Sequence, residues 1–336
     1  MLRGTSQALT DHHDLAMLDL DGVVYVDGEA VPRAAEAISS AREAGLRVAF
    51  ITNNASRTPT TVAEHLCRLG VQADAADVVT SAQAAARVLI KELGEGARVV
   101  LLGAEGLLEA VRSVGLEPVG VEDEAEAVVT GYGPDVLWRD VMRAAVRIRE
   151  GLWWVASNTD QSIPTSYGVA PGHGVLVETL QRFSGVDPVV AGKPARPLLD
   201  ETVRRVGGER PLMVGDRLDT DIEGAVVSDI AALLVLTGVT DLAALLAARP
   251  QERPTYLHLD LRGLLEAHPE VVADGAGATC GGWTARVDDG LLSVHGEGDE
   301  TDWWRAVAVA GWAHLDATGD AASTGDLVGP PTPVAR

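Results

Sequence analysis

The stretch Leu15-Ala16-Met17-Leu18-Asp19-Leu20-Asp21-Gly22 decides the fold. Its apolar start reads as a short buried strand, and the glycine that follows the acids reads as the turn that ends it. Residues i and i+2 of a strand point to the same side, so Asp19 and Asp21 face one way. Two like charges held close need a cation or a shared proton. Open parallel α/β sheets bind ligands outside the carboxyl ends of their strands, and a strand ending in acids belongs at that edge.

The same grammar repeats along the chain. Leu46–Ile51 is a second strand, closed by Thr52-Asn53-Asn54. Thr58-Pro59 then opens a helix, with Thr as N-cap, Pro at the first position and Gly70 as the stop. Further apolar runs are 99–103, 127–131, 153–157, 212–216 and 232–236. Strands alternating with helical patterns predict a parallel sheet with right-handed crossovers. Two more segments fall at strand ends. One is Gly192-Lys193-Pro194; the other is Gly215-Asp216-Arg217-Leu218-Asp219-Thr220-Asp221. Taken singly, each has an ordinary reading as a turn, a cap or a solvated charge. Lys193 is unusual because the chain has 27 basic residues but only two lysines, the other being Lys91. A compact ammonium fits a small site in a way a guanidinium fork cannot.

Composition narrows the function. The 336 residues carry 49 acids against 27 basic residues, a formal charge of −22, and 46% are hydrophobic. That length predicts two domains and a fragment, with apolar content enough for a packed core. No Lys/Arg run exists, which argues against a nucleic-acid partner and against an anionic membrane surface. Cys67 and Cys280 lie far apart, so neither a disulfide scaffold nor a Cys-rich zinc site is expected. The polar start lacks a signal-peptide core, and the apolar stretch 226–247 is broken by Asp229, Thr237, Gly238 and Asp241. The expectation is a cytoplasmic protein with no membrane partner.

The order DxDG, strand-Thr, Lys, GDxxxTD resembles the haloacid dehalogenase superfamily, here at Asp19–Gly22, Thr52, Lys193 and Gly215–Asp221. The 141 positions from Thr52 to Lys193 leave room for a cap between the second and third motifs. That placement is similar to the C2-capped branch of N-acetylglucosamine-6-phosphate-phosphatase-like proteins and 4-nitrophenylphosphatases. DLDGVVYVDG, ITNNASRTP, VVAGKP, VGDRLDTDI and LLVLTGVT agree with it, and within the branch the chain most resembles the glycerol-3-phosphate phosphatases. The likeness covers residues 12–262. It implies a Rossmann-like α/β core at 12–81 and 185–262, an inserted α/β C2 cap at 82–184 that sets substrate specificity, and a Mg²⁺-dependent phosphatase. C2 caps in this family often join two copies, so a homodimer is added to the expectations.

The resemblance also implies residue roles. Asp19 is the nucleophile that forms an aspartyl-phosphate, and Asp21 the general acid and base. Asp19, Asp21 (through its backbone carbonyl), Asp216 and Asp221 hold Mg²⁺, a hard cation that prefers oxygen. Thr52 and Asn53 bind the phosphoryl group, with Asn54 beside them, and Lys193 neutralises charge in a reaction that is mostly positioning and electrostatics. Asn158 and Asp160 match a recurrent cap phrase, and Arg57 is a candidate substrate contact. Asp21 separates the chain from dehalogenases, but core chemistry alone does not separate phosphatase from phosphomutase.

The segment 158–174, rich in Asn, Asp and Gly, reads as the substrate loop, with His173 as a solvated turn residue. Such a loop suits a small phosphate ester, glycerol 3-phosphate first, with phosphoglycolate, sugar phosphates and pyridoxal phosphate as alternatives. Residues 265–336 lie outside the resemblance and hold 12 acids, 3 arginines and four of the seven tryptophans. They read as an α+β extension over 265–318, a hairpin and a helix capped by Asp302, and a loose end over 319–336. The tryptophans either cover the phosphatase itself, the favoured reading, or serve a regulatory partner. An acetyltransferase-like fragment is a further reading, but the Q/R-x-x-G-x-G/A loop that would hold acetyl-coenzyme A is absent.

Overall fold

Leu15–Asp19 is a strand with all five residues buried, as the unbroken apolar run requires of a strand covered on both faces. In the computed structural model, which describes residues 2–165, 167–275, 277–327 and 329–330, the chain divides into two compact units, 1–48 with 208–336 and 49–207. Residues 331–336, the end of the expected tail, lie outside the described residues.

The first unit holds four parallel strands in the order Tyr256–His258, Ala231–Val235, Pro211–Gly215, Leu15–Asp19. Leu18 stands level with Val214, and Val214 with Leu233, so the ends of three strands come out together. Asp19 is the last residue of its strand, and Asp216 directly follows another. The expected alternation of strand and helix is therefore present, plus Tyr256–His258, a strand too short to show in the pattern.

The second unit contains a five-stranded parallel sheet, ordered Val189–Val190, Trp153–Ala156, Ala127–Thr130, Arg98–Leu102, Glu117–Val119. The helices Trp138–Arg149 and His173–Ser184 cover it, with Trp154, Val177 and Leu180 in the buried cluster. Within the same unit the end of strand Arg47–Thr52 pairs in parallel with Val78–Thr80. Helix Pro59–Arg68 starts where Thr58 and Pro59 predict, with the Thr58 hydroxyl accepting from the Thr61 N–H.

The C-terminal extension departs from the expectation in detail. The hairpin is part of a four-stranded antiparallel sheet over residues 272–296, and helix Glu300–Thr318 follows. Asp299, not Asp302, caps that helix, accepting from the Thr301 N–H at 2.8 Å. Asp302 instead lies in the first turn and pairs with Arg305 at 2.8 Å. Arg305 is buried and also donates to the Leu257 carbonyl and to His268 Nδ1. Burial, reinforced by that guanidinium, pulls the His268 pKa down to about 4, so the ring is neutral and its Nε2–H donates to the Gly263 carbonyl. Trp283, Trp303 and Trp312 are buried. Trp312 donates to the Leu245 carbonyl, while Arg253 lies over its ring and grips Asp316 at 2.7 Å with both nitrogens. These tryptophans thus cover the extension's own unit. Cys280 is buried beside Asp302, which with desolvation pushes its thiol up to about 12 and leaves it inert.

Removing one partner of a buried ion pair strands the other, at about 3–5 kcal/mol. Arg305→Ala is therefore expected to lower the unfolding free energy by about 3 kcal/mol in denaturant titration; a loss near zero would contradict the anchoring. His268 and His173 are both held near pKa 4, below the ordinary value of 6.5. The unfolded chain binds their protons first, so stability is full above pH 6.5 and falls as pH drops toward 4. Denaturation at stepped pH reads that slope, and a flat profile from 6.5 to 5 would refute it.

Candidate active site

In the first unit two strand ends gather carboxylates. Asp19, Asp216 and Asp221 are all buried, and one carboxylate oxygen of each lies within 4.8 Å of the others. The backbone is shaped to allow this. Gly22 has φ +84°, a left-handed conformation that favours glycine, and a Cβ there would stand 2.3 Å from an Asp216 oxygen. The Gly22 N–H donates to the Tyr25 carbonyl, closing the tight loop after Asp21. A Cβ on Gly215 would stand 2.2 Å from Asp221 Cβ. Asp221 lies in the wide helical turn Leu218–Ile222, where its Oδ2 accepts from the Arg217 N–H at 3.1 Å.

The loop after strand Ala231–Val235 completes this half, and its role was missed in the sequence. The Val239 N–H donates to Asp216 Oδ2 at 2.8 Å, the Thr240 hydroxyl to the Asp216 carbonyl, and the Thr237 hydroxyl to the Gly22 carbonyl. A Cβ on Gly238 would fall 1.9 Å from Asp216 Oδ2. The phrase LLVLTGVT carried the signal, since its strand ends at the ligand edge. Asp21 is exposed and its carboxylate is not one of the three, which leaves its backbone carbonyl as the expected metal contact. Asp219 turns to Arg217 instead. Three buried carboxylates supply hard oxygen donors, the donor set that a magnesium ion takes.

The second unit holds the other candidates. Thr52 is buried at its strand end, and its Oγ1 accepts from the Asn54 N–H at 3.0 Å, leaving the hydroxyl proton to donate. Asn54 Oδ1 accepts from the Ser56 N–H and hydroxyl, so this side chain shapes the turn. Arg57 is exposed. Its carbonyl would lie 2.4 Å from a Cβ on Gly106, so that glycine lets the loop sit against helix Glu105–Ser113.

Asn53 ties four segments together. Its Nδ2 donates to Asp160 Oδ1 at 2.9 Å and to the Lys193 carbonyl at 3.0 Å, and its Oδ1 accepts from the Lys193 N–H at 2.8 Å. Its backbone carbonyl accepts from Asn158 Nδ2 at 2.7 Å and from the Ser81 hydroxyl. The Asn53 side chain is thus spent on the scaffold. Lys193 is buried, and a Cβ on the preceding Gly192 would stand 2.6 Å from Asn53 Oδ1. His173 is not a solvated turn residue. It is buried at the start of its helix, and burial pulls its pKa down to about 4. A lone His next to Gly gave no sign of this, because the covering chain comes from 158–161.

A parallel α/β sheet that buries three aspartates at its carboxyl edge fits metal-assisted phosphoryl-transfer chemistry. Family comparison gives the lineage: a haloacid dehalogenase-like hydrolase model matches residues 16–117 and a second, HAD-hydrolase-like model matches 190–264. The chain is 42% identical over 316 residues to D-glycerol 3-phosphate phosphatase of Mycobacterium tuberculosis, covering 91% of this chain and 88% of that one. A crystal structure of a glycerol phosphate phosphatase from that organism, in complex with magnesium, superposes with a TM-score of 0.83 at 42% identity, covering 91% and 92% of the two chains. A 4-nitrophenylphosphatase from Thermotoga maritima superposes at 0.71 with 28% identity, covering 76% and 98%. The chain belongs to the haloacid dehalogenase-like hydrolases, and within them it is a phosphatase. A GCN5-related N-acetyltransferase-like model matches residues 280–328. The acetyltransferase likeness set aside above is thereby restored for the extension.

Gly238→Ala is expected to push the Asp216 carboxylate off its position while leaving the sheet intact. The Mg²⁺ concentration needed for half-maximal activity should rise at least tenfold. An unchanged metal requirement would show that the loop does not position Asp216.

Proposed function

We propose that the protein is a Mg²⁺-dependent phosphatase of glycerol 3-phosphate. The buried cluster of Asp19, Asp216 and Asp221 carries the reaction class. The 42% identity to D-glycerol 3-phosphate phosphatase over 91% of the chain carries the substrate. Residues 82–184 act as the cap that sets specificity.

The motif match assigns the steps. Asp19 Oδ attacks phosphorus, and the bond from phosphorus to the glycerol oxygen breaks. The Asp21 carboxyl gives its proton to the leaving alkoxide, releasing glycerol. The Asp21 carboxylate then takes a proton from water, whose oxygen attacks the aspartyl-phosphate. The bond to Asp19 breaks and inorganic phosphate leaves. The Thr52 hydroxyl and the Asn53 N–H donate to phosphoryl oxygens, and Lys193 offsets their charge. Asp19, Asp216, Asp221 and the Asp21 carbonyl hold Mg²⁺, which when bound neutralises the nucleophile and the phosphate. Arg57 and the 158–160 segment belong to the substrate side of the assignment.

The acidic balance of −22 supports a small, freely diffusing phosphate ester in place of a polyanion. No helix among the described residues is long and apolar enough to cross a membrane. A cytoplasmic location and a homodimer belong to the same proposal.

Asp19→Asn is expected to abolish turnover with the melting curve preserved. Phosphate release over a panel of glycerol 3-phosphate, phosphoglycolate, sugar phosphates and pyridoxal phosphate, with and without Mg²⁺, tests class and substrate together. Glycerol 3-phosphate among the poorest substrates would overturn the choice, and metal-independent release would overturn the mechanism.

A further inference from the structure

We infer that His173 is a positioning residue for the phosphate-side turn. Its Nδ1–H holds the Asn158 carbonyl, and through Asn158 and Asn53 it fixes the backbone of Lys193.

The path is continuous within one unit. His173 Nδ1 lies 2.8 Å from the Asn158 carbonyl oxygen, which can only accept, so Nδ1 carries the proton. Asn158 Nδ2 donates to the Asn53 carbonyl at 2.7 Å. Asn53 closes two bonds on the backbone of Lys193, one accepted and one donated. Each link joins segments far apart in sequence, and each is buried, where a lost partner is not replaced by water.

The setting of His173 is built for contact. A Cβ on Gly172 would fall 2.3 Å from the Asp160 carbonyl, and one on Gly174 2.2 Å from the Thr159 carbonyl. The Gly172 N–H donates to the Gln161 carbonyl and the Gly174 N–H to the Asp160 carbonyl. The start of helix His173–Ser184 is therefore laid directly on 158–161, with the imidazole between the two glycines. His173 Nε2 is buried with no hydrogen-bond partner. A proton added there would have no acceptor, so the ring stays neutral and keeps a single role through Nδ1.

The geometry of other side chains separates hydrogen bond from volume. The Asn carboxamide nitrogen sits at the same distance along the side chain as imidazole Nδ1, whereas that of Gln matches Nε2. The inference rests on the phosphatase reading for its kinetic arm only. His173→Gln and His173→Ala are expected to lower kcat for glycerol 3-phosphate about tenfold, as small misplacements of positioned groups do. KM and the Mg²⁺ requirement should stay within twofold. His173→Asn should restore kcat to within about twofold of the parent. Hydrogen–deuterium exchange is the arm independent of activity. His173→Gln should speed exchange in 52–55 and 157–161 and leave 211–236 unchanged, with His173→Asn at the parent level. Unchanged exchange at 52–55 in His173→Gln, or His173→Asn behaving as His173→Ala, overturns the proposal. If the parent hydrolyses no ester on the panel, the functional reading fails and the exchange pattern still decides the role of His173. If His173→Ala does not fold, His173→Gln decides.

Discussion

Three carboxylates buried within 4.8 Å of one another repel, and each has lost most of its water. That arrangement persists only where the backbone holds the groups in place and a cation balances them. Much of the first unit follows from this constraint. Gly22, Gly215 and Gly238 are small because side chains there would overlap the carboxylates, while Val239 and Thr240 donate to Asp216 and Thr237 to the Gly22 carbonyl. The sheet contributes its register, which brings the ends of Leu15–Asp19 and Pro211–Gly215 level.

The second unit solves the opposite problem. The groups that shape its turn at Thr52–Asn54 are satisfied internally. Asn53 spends its whole carboxamide on Asp160 and Lys193, and Asn54 spends its oxygen on Ser56. Thr52 Oγ1 accepts from the Asn54 N–H, which leaves its hydroxyl proton to donate. Preorganised donors of this kind need no rearrangement when charge develops. The candidate site residues thus divide into groups that face chemistry and groups that hold them.

The extension shows how an acidic, tryptophan-bearing tail becomes part of a fold. Its net charge lies on the surface, while Trp303, Trp312 and Arg305 turn inward. Arg305 reaches the Leu257 carbonyl on an edge strand of the parallel sheet, and Gly311 lets Leu246 approach the helix backbone. The extension matches a GCN5-related N-acetyltransferase-like model over residues 280–328.

Local chemistry is what the sequence determined by itself. Apolar runs, caps and turn residues placed the long strands, the helix start at Thr58-Pro59 and the four motifs at strand ends. The parallel α/β class follows from alternation alone, and the motif order identified Asp19, Thr52, Lys193 and Asp216. Short elements such as Tyr256–His258 lack the length to show a period. The three-dimensional structure decided which side chains come together. Asp221, which the motif already offered as a metal ligand, joins the cluster, while Asp219 pairs with Arg217 two residues before it. Asp299 rather than Asp302 caps the last helix, since Asp302 is drawn to Arg305. His173 is buried because 158–161 folds over it. Spacing along a chain decides which groups share a strand end, but only packing decides which of them lose water, and that loss separates a ligand or a positioning group from a solvated one.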